Sequence, residues 1–166
     1  MRTIPEKETL TVEFKSDIDG FSEAELAAEI VGMTNTEGGM LYLGVEDDGT
    51  PTGLSKKHKD PIGLMALIAN KTVPSIPVRA EIIEECDVEI MQIQVPMSRT
   101  IVATSDGKIQ KRRLKPNGSP ENVPMYPYEI PSRLSALNLL DYSAQILEGA
   151  SLEDFDTNER ERLRSI

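Results

Sequence analysis

Tryptophan is absent, cysteine and histidine occur once each (Cys86 and His58), and phenylalanine occurs three times in 166 residues. A lone cysteine excludes an internal disulfide, and one Cys with one His cannot complete a Cys/His zinc site. No run approaches the roughly 20 apolar residues that cross a bilayer, and Arg2-Thr3-Ile4-Pro5-Glu6 lacks the build of a signal peptide. A reducing, cytoplasmic setting with no membrane partner is expected. There is no G-x-x-x-x-G-K-[ST] phosphate loop. Gly38-Gly39 is followed by Met40, with no lysine to reach phosphates, so the chain carries no ATPase motif of that kind.

Bases are also scarce. Lys and Arg number 18 against 28 Asp and Glu, a net charge of −10, and a protein that binds phosphates does so through Lys and Arg. The deficit is uneven. Residues 1–50 hold only Arg2, Lys7 and Lys15 as bases, whereas residues 99–116 hold Arg99, Lys108, Lys111, Arg112, Arg113 and Lys115 against Asp106 alone. A locally basic strand on an acidic body can still meet a polyanion. Lys56, Lys57 and Lys59 form a second, shorter basic loop around His58, which reads as an exposed loop residue.

What is present suffices for one domain with a hydrophobic core. Residues 10–15 alternate, with Leu10, Val12 and Phe14 on one face and Thr11, Glu13 and Lys15 on the other. Glu13 and Lys15 then read as an ordinary surface ion pair. Ser22 and Glu25 match a capping box, with Phe21 and Leu26 in the staple positions. Leu26, Ile30 and Met33 recur at helical spacing. The helix should end near Asn35, with Gly38 or Gly39 supplying a positive φ. Met40 to Val45 is apolar apart from Gly44 and reads as a central strand covered on both faces, ending in Glu46, Asp47 and Asp48.

Asp60-Pro61 opens a second helix. Strands follow over 78–82 and 88–95, turned by residues 84–87. Asp106-Gly107 reads as a two-residue hairpin between residues 101–104 and 108–114, whose second strand is polar on both faces and suits an exposed edge. Residues 116–127 read as a Pro/Asn/Gly-rich loop, and 128–140 as a third helix presenting Ile130, Leu134 and Leu137. The expected domain is 1–140. An acidic linker, 141–166, ends in a barely started helix after Asp156, as though a longer protein continued.

L-T-V-E-F-K-S at 10–16, the helix after it, and T-N-T-E-G-G-M-L-Y-L-G-V-E-D-D-G-T-P-T-G-L from Thr34 closely resemble the Schlafen-type Alba-like (AlbA_2) domain, historically called divergent AAA-4. The resemblance spans about residues 5–140. It implies an α+β fold, a mixed or antiparallel sheet packed with about three helices. It also implies nucleic-acid binding, to DNA or RNA, as the N-terminal module of a bacterial transcriptional regulator, often followed by a winged-helix portion. The surfaces expected to touch phosphates are Lys108, Lys111, Arg112, Arg113 and Lys115 on the basic strand, with Lys56, Lys57 and Lys59.

In ribonuclease members among animal Schlafens the active site holds two glutamates five apart around E-F-K and an aspartate in the G-V-x-D turn. These correspond to Glu8, Glu13 and Asp47, which would hold Mg²⁺ or Mn²⁺, with Lys15 on the scissile phosphate. The spacing from Glu8 to Glu13 places them on opposite faces of a regular strand, so the resemblance implies a bend before Thr11. The zinc site of those proteins has no counterpart. The resemblance therefore implies a DNA-binding module needing no cofactor or a metal-dependent endoribonuclease, while the acidic and basic faces, the exposed edge strand and the seven methionines are compatible with a dimerisation or protein-interaction domain forming homo-oligomers.

Overall fold

The computed structural model describes residues 4–140 and scattered positions beyond them. The expected linker and the short helix after Asp156 lie largely outside the described residues. Eight strands and three helices make an α+β fold among the described residues. β1 (Val12–Lys15), β2 (Gly39–Leu43), β4 (Arg79–Glu85) and β5 (Val88–Val95) form a mixed sheet in the order β1-β2-β5-β4. Only β1 and β2 run parallel, because α1 (Glu23–Thr34) carries the chain back between them. β2 is an inner strand, as its apolar run implies.

The two faces of β2 serve different cores. Leu41 and Leu43 pack with Leu26, Ile30 and Met33 of α1 and Ile68 of α2 (Pro61–Lys71), while Tyr42 packs with Phe14, Ile90 and Ile4 on the opposite face. Both residue sets are nearly solvent-free. Gly39 lets β2 start this close to β1. It has φ +134°, and a Cβ there would overlap the Thr11 carbonyl. Gly38, at φ +71°, closes α1 by donating its N–H to Met33 O at 2.8 Å, the role expected of a glycine past a helix end.

Several local expectations are corrected. Ser22 sits at the start of α1 with extended φ and ψ, but its side chain makes no capping bond. The turn is held instead from outside the helix, where Phe21 N donates to Asp17 Oδ1 at 2.7 Å. The Asp106-Gly107 turn exists, with Gly107 N on Thr104 O at 2.8 Å, but its flanks do not pair as one hairpin. β6 (Ala103–Thr104) pairs with β3 (Thr72–Val73), and β7 (Gln110–Leu114) pairs with β8 (Pro120–Pro124). The Pro-rich loop thus contains a strand, its prolines placed at both strand ends where the ladder loses least. α3 is Glu129–Ala136, shorter than expected, and buries no residue fully. Asn138, at φ 56°, turns the chain out of the helix.

β7 also lies against α1 and is not a bare edge. Gly32 lets the hairpin approach, since a Cβ there would overlap the Asn122 side chain. Asn35 spans the junction. Its Nδ2 donates to Val102 O and Gln110 O, each at 2.8 Å, and its Oδ1 accepts from Val102 N at 2.9 Å. Thr36 Oγ1 accepts from Arg112 N at 2.8 Å. The Thr-Asn-Thr sequence therefore supplies bonds that a two-stranded hairpin leaves unmade.

Candidate functional site

The chain reverses immediately before β1. Thr9 N and Val12 N exchange hydrogen bonds with each other's carbonyls at 3.0 and 3.3 Å, so the strand begins two residues later than its alternation suggests. This bend lets Glu8 fold back along the outer edge of β1, where its Oε1 accepts from Phe14 N at 3.0 Å. Among the described residues β1 has no strand on that side, and the carboxylate occupies part of the open ladder. Glu8 is half-buried. Burial raises its pKa, the Phe14 N–H opposes the rise, and the neighbouring charges of Glu13 and Asp47 add to it.

Glu13 is not on the surface. It is 6% exposed, and Lys15 Nζ and Arg112 Nη1 hold its Oε1 and Oε2 respectively. The other prong of the Arg112 guanidinium, Nη2, donates to Thr9 O at 2.9 Å and Val12 O at 3.3 Å, locking the bend. Lys15 also lies 3.7 Å from Glu29 Oε1 on α1. Burial alone would lower the Lys15 pKa, but Glu13 and Glu29 outweigh it and raise it. Glu29 is itself raised, by burial first, against the pull of Lys15.

The result is a knot of three glutamates, one lysine and one arginine, with Asp47 exposed at its margin. Glu8 and Asp47 line one side of a cleft of about 610 Å³ whose other side is Leu114 and the loop at residues 117–120.

Whether this knot suits a divalent ion can be judged from its oxygens. Both Glu13 oxygens already face cations of the chain itself, and Glu8 Oε1 takes a backbone N–H. Among the described residues no group of three or more His, Cys, Asp or Glu side chains is arranged to hold a metal. Glu8, Glu13 and Asp47 are neighbours in charge, yet the set as folded does not fit Mg²⁺ or Mn²⁺, and no catalytic step follows from it. Lys15, expected to face a phosphate, is held between two acids.

The expected phosphate-binding cations divide in the same way. Arg112 is 4% exposed and belongs to the knot, because its position on β7 points toward α1 and β1. Lys111 is paired with Glu129. Lys57 and Lys59 meet Glu23 and Glu89 at 3.8 and 3.3 Å. Lys108 lies 3.1 Å from Asp106, and Arg113 2.6 Å from Glu121. Lys115 and Lys56 are exposed and make no ion pair among the described residues.

A family model described as Schlafen, AlbA_2 matches residues 8–118. The chain belongs to the Schlafen AlbA_2 family. Among solved structures it is similar to the DIP2311 protein from Corynebacterium diphtheriae, with 20% identity and a TM-score of 0.64 over 94% of this chain. That similarity shows the fold, and this chain spans only 33% of that protein's length. A weaker likeness, 19% identical with a TM-score of 0.42, is to the N-terminal domain of a RecG-related protein from Nitrosomonas europaea, covering 55% of this chain and 65% of that one. No curated protein matches. Among the described residues no helix of this AlbA_2 domain is long and apolar enough to cross a membrane.

Three participants are not evident from the sequence pattern. Glu29 was legible in principle, since it borders the stripe of Leu26, Ile30 and Met33, three residues after Leu26 and four before Met33. Asp17 and His58 gave no local signal. Asp17 is fully buried and accepts from Phe21 N, Ser55 N at 2.8 Å and His58 Nδ1 at 2.8 Å. His58 is 3% exposed, against the expectation of a surface residue. It anchors the short 3₁₀ turn Lys56–His58 to the start of α1.

Raised carboxylates give a pH signature. Glu8 and Glu29 hold a proton more tightly folded than unfolded. Both carry no penalty below the ordinary carboxylate range, and stability falls as pH rises from there through their folded values. In Glu29→Gln the stability between about pH 4 and 7 should decline less steeply than in the parent. Thermal melts across that range read the difference, and parallel curves would contradict the assignment.

Proposed function

We propose that this AlbA_2 domain is the nucleic-acid-binding module of a longer, DNA-acting transcriptional regulator, and that it grips phosphates with the outer face of the β7–β8 hairpin and the turn that leads into it. The observation that supports this is the state of Lys108, Arg113 and Lys115. All three are exposed, and among the described residues the first two each make one ion pair and the third makes none. An exposed ion pair is worth about 0–1 kcal/mol, so a phosphate can displace the acid at little cost. Lys56 extends the same chemistry on a separate loop. Glu8 and Asp47, across the cleft from the hairpin loop, disfavour phosphate on that side.

A labelled DNA duplex titrated with the protein at low salt, followed by fluorescence anisotropy, tests this. Affinity should fall linearly on a log–log plot against salt. The triple variant Lys108→Ala, Arg113→Ala, Lys115→Ala should bind more weakly, with a slope reduced by about one for each phosphate that is no longer neutralised. Absent binding at low salt, or a variant that binds as the parent does, refutes the reading. An endoribonuclease using Glu8, Glu13 and Asp47 has less support, because Glu13 is already neutralised. RNA cleavage with Mn²⁺ that disappears in Glu8→Gln would restore it.

A further inference from the structure

The chain has few aromatic residues, four Tyr and three Phe, and two of them stand in water side by side. Tyr126 and Tyr128 are 55% and 76% exposed. Their rings are parallel within 5°, with centroids 6.1 Å apart. Exposed rings of this size are normally turned inward, since burying one contributes about 1.5–3 kcal/mol. Here the backbone holds them outward. Pro127 restricts the segment between them. The Glu129 carboxylate accepts Tyr126 N at 2.9 Å and is gripped on its other oxygen by Lys111 of β7. The Lys111 hydrogen bond, with the Tyr126 N–H next, keeps the Glu129 pKa low, so the brace stays ionised at neutral pH.

Tyr128 lies at the rim of a cavity of about 600 Å³. Met97, which is 49% exposed, and the buried Met125 give it a soft apolar lining, and Ser132 and Arg133 add polar groups. Arg133 donates to Thr36 O at 3.1 Å and makes no ion pair among the described residues. The cavity is thus apolar and polarizable on one side, with hydrogen-bonding groups on the other. It opens beside β7, whose next residues carry Arg113 and Lys115.

We propose that this cavity is a nucleobase site, in which an unpaired base of a nucleic-acid strand stacks on Tyr128 while the strand's phosphates lie along the β7–β8 cations. The inference rests on the phosphate-binding reading above and adds to it the class of ligand, a strand with at least one unstacked base. Every base has a π-face that a tyrosine can meet, whereas a base inside a duplex offers only its edge. The braced Tyr-Pro-Tyr segment supplies a preorganised platform, which lowers the ordering cost of binding. The charges of the lining agree with an uncharged base: Lys111 is neutralised by Glu129 and Arg112 by Glu13, and the two that remain, Arg133 and the exposed Glu37, are of opposite sign.

The test uses the full chain with a single-stranded DNA oligonucleotide and the duplex of the same sequence, by anisotropy. The single strand should bind more tightly, and Tyr128→Ala should weaken it about tenfold while leaving duplex binding and the melting temperature unchanged. Because the chain lacks tryptophan, Tyr128→Trp provides a unique reporter whose emission should be quenched by the single strand. Equal binding of both probes, with Tyr128→Ala silent and the hairpin triple variant still impaired, overturns the base site and leaves phosphate binding standing. Binding of neither probe overturns both.

Discussion

Arg112→Met should cost the domain about 3–5 kcal/mol, the range observed when one partner of a buried ion pair is removed. The methionine fills most of the arginine volume, so the loss measures charge and hydrogen bonds more than packing. Glu13 Oε2 would be left facing no cation, and the Thr9 and Val12 carbonyls would lose the donor that closes the bend before β1. Urea denaturation should show a lower midpoint with little change in slope. Glu13→Gln in the same background should recover part of the loss, because a buried carboxylate left with Lys15 as its one cation is then gone. A loss below about 1 kcal/mol would mean that Arg112 behaves as a surface cation after all. Below the melting temperature, the folded variant should keep its affinity for DNA, which separates this arginine from its exposed neighbours on β7.

Asp17→Ala should have an effect of similar size. Phe21 N, Ser55 N and His58 Nδ1 all donate to its carboxylate in a site without solvent. A buried donor left without an acceptor costs about 1–3 kcal/mol, and three sharing one acceptor are lost together, so about 3–5 kcal/mol is expected in sum. Asn at this position fails for a different reason. Its amide nitrogen would replace either Oδ1 or Oδ2 and place a donor against a backbone N–H. His58→Ala should be milder, since the two backbone bonds survive. The local readout is the Lys56–His58 turn, which becomes a preferred site of proteolysis once its tether to the start of α1 is cut. Unchanged stability in Asp17→Ala would remove the tether.

The two sites differ in how far their sequence announced them. Glu8, Glu13 and Asp47 were legible as a group only through the family resemblance. The alternation of residues 10–15 taken alone placed Glu8 on the wrong face, because period-two reasoning assumes an unbroken strand and the chain bends between Thr9 and Val12. The basic strand was legible as a cluster of charge, but not as a set of separate fates. Pleating sends Arg112 inward and Arg113 outward, and the inward direction became meaningful only once β7 was seen to lie on α1.

What the sequence determined by itself is the local architecture. The apolar run from Met40 supplies the inner strand β2, the helical stripe of Leu26, Ile30 and Met33 becomes a core face, and Gly38 ends α1. Asp60 caps the second helix by accepting from Ile62 N at 3.0 Å. Each of these follows from interactions within a few residues or from burial that any packed neighbour can satisfy. The tertiary structure decided the rest. It chose β8 over residues 101–104 as the partner of β7, put His58 on Asp17, and placed Arg112 on Glu13. The physical reason is that such pairs join residues up to a hundred positions apart, and a charge seeks whatever opposite charge the fold brings within reach. A cation on a strand reads the same in sequence whether it will face a phosphate or a buried glutamate.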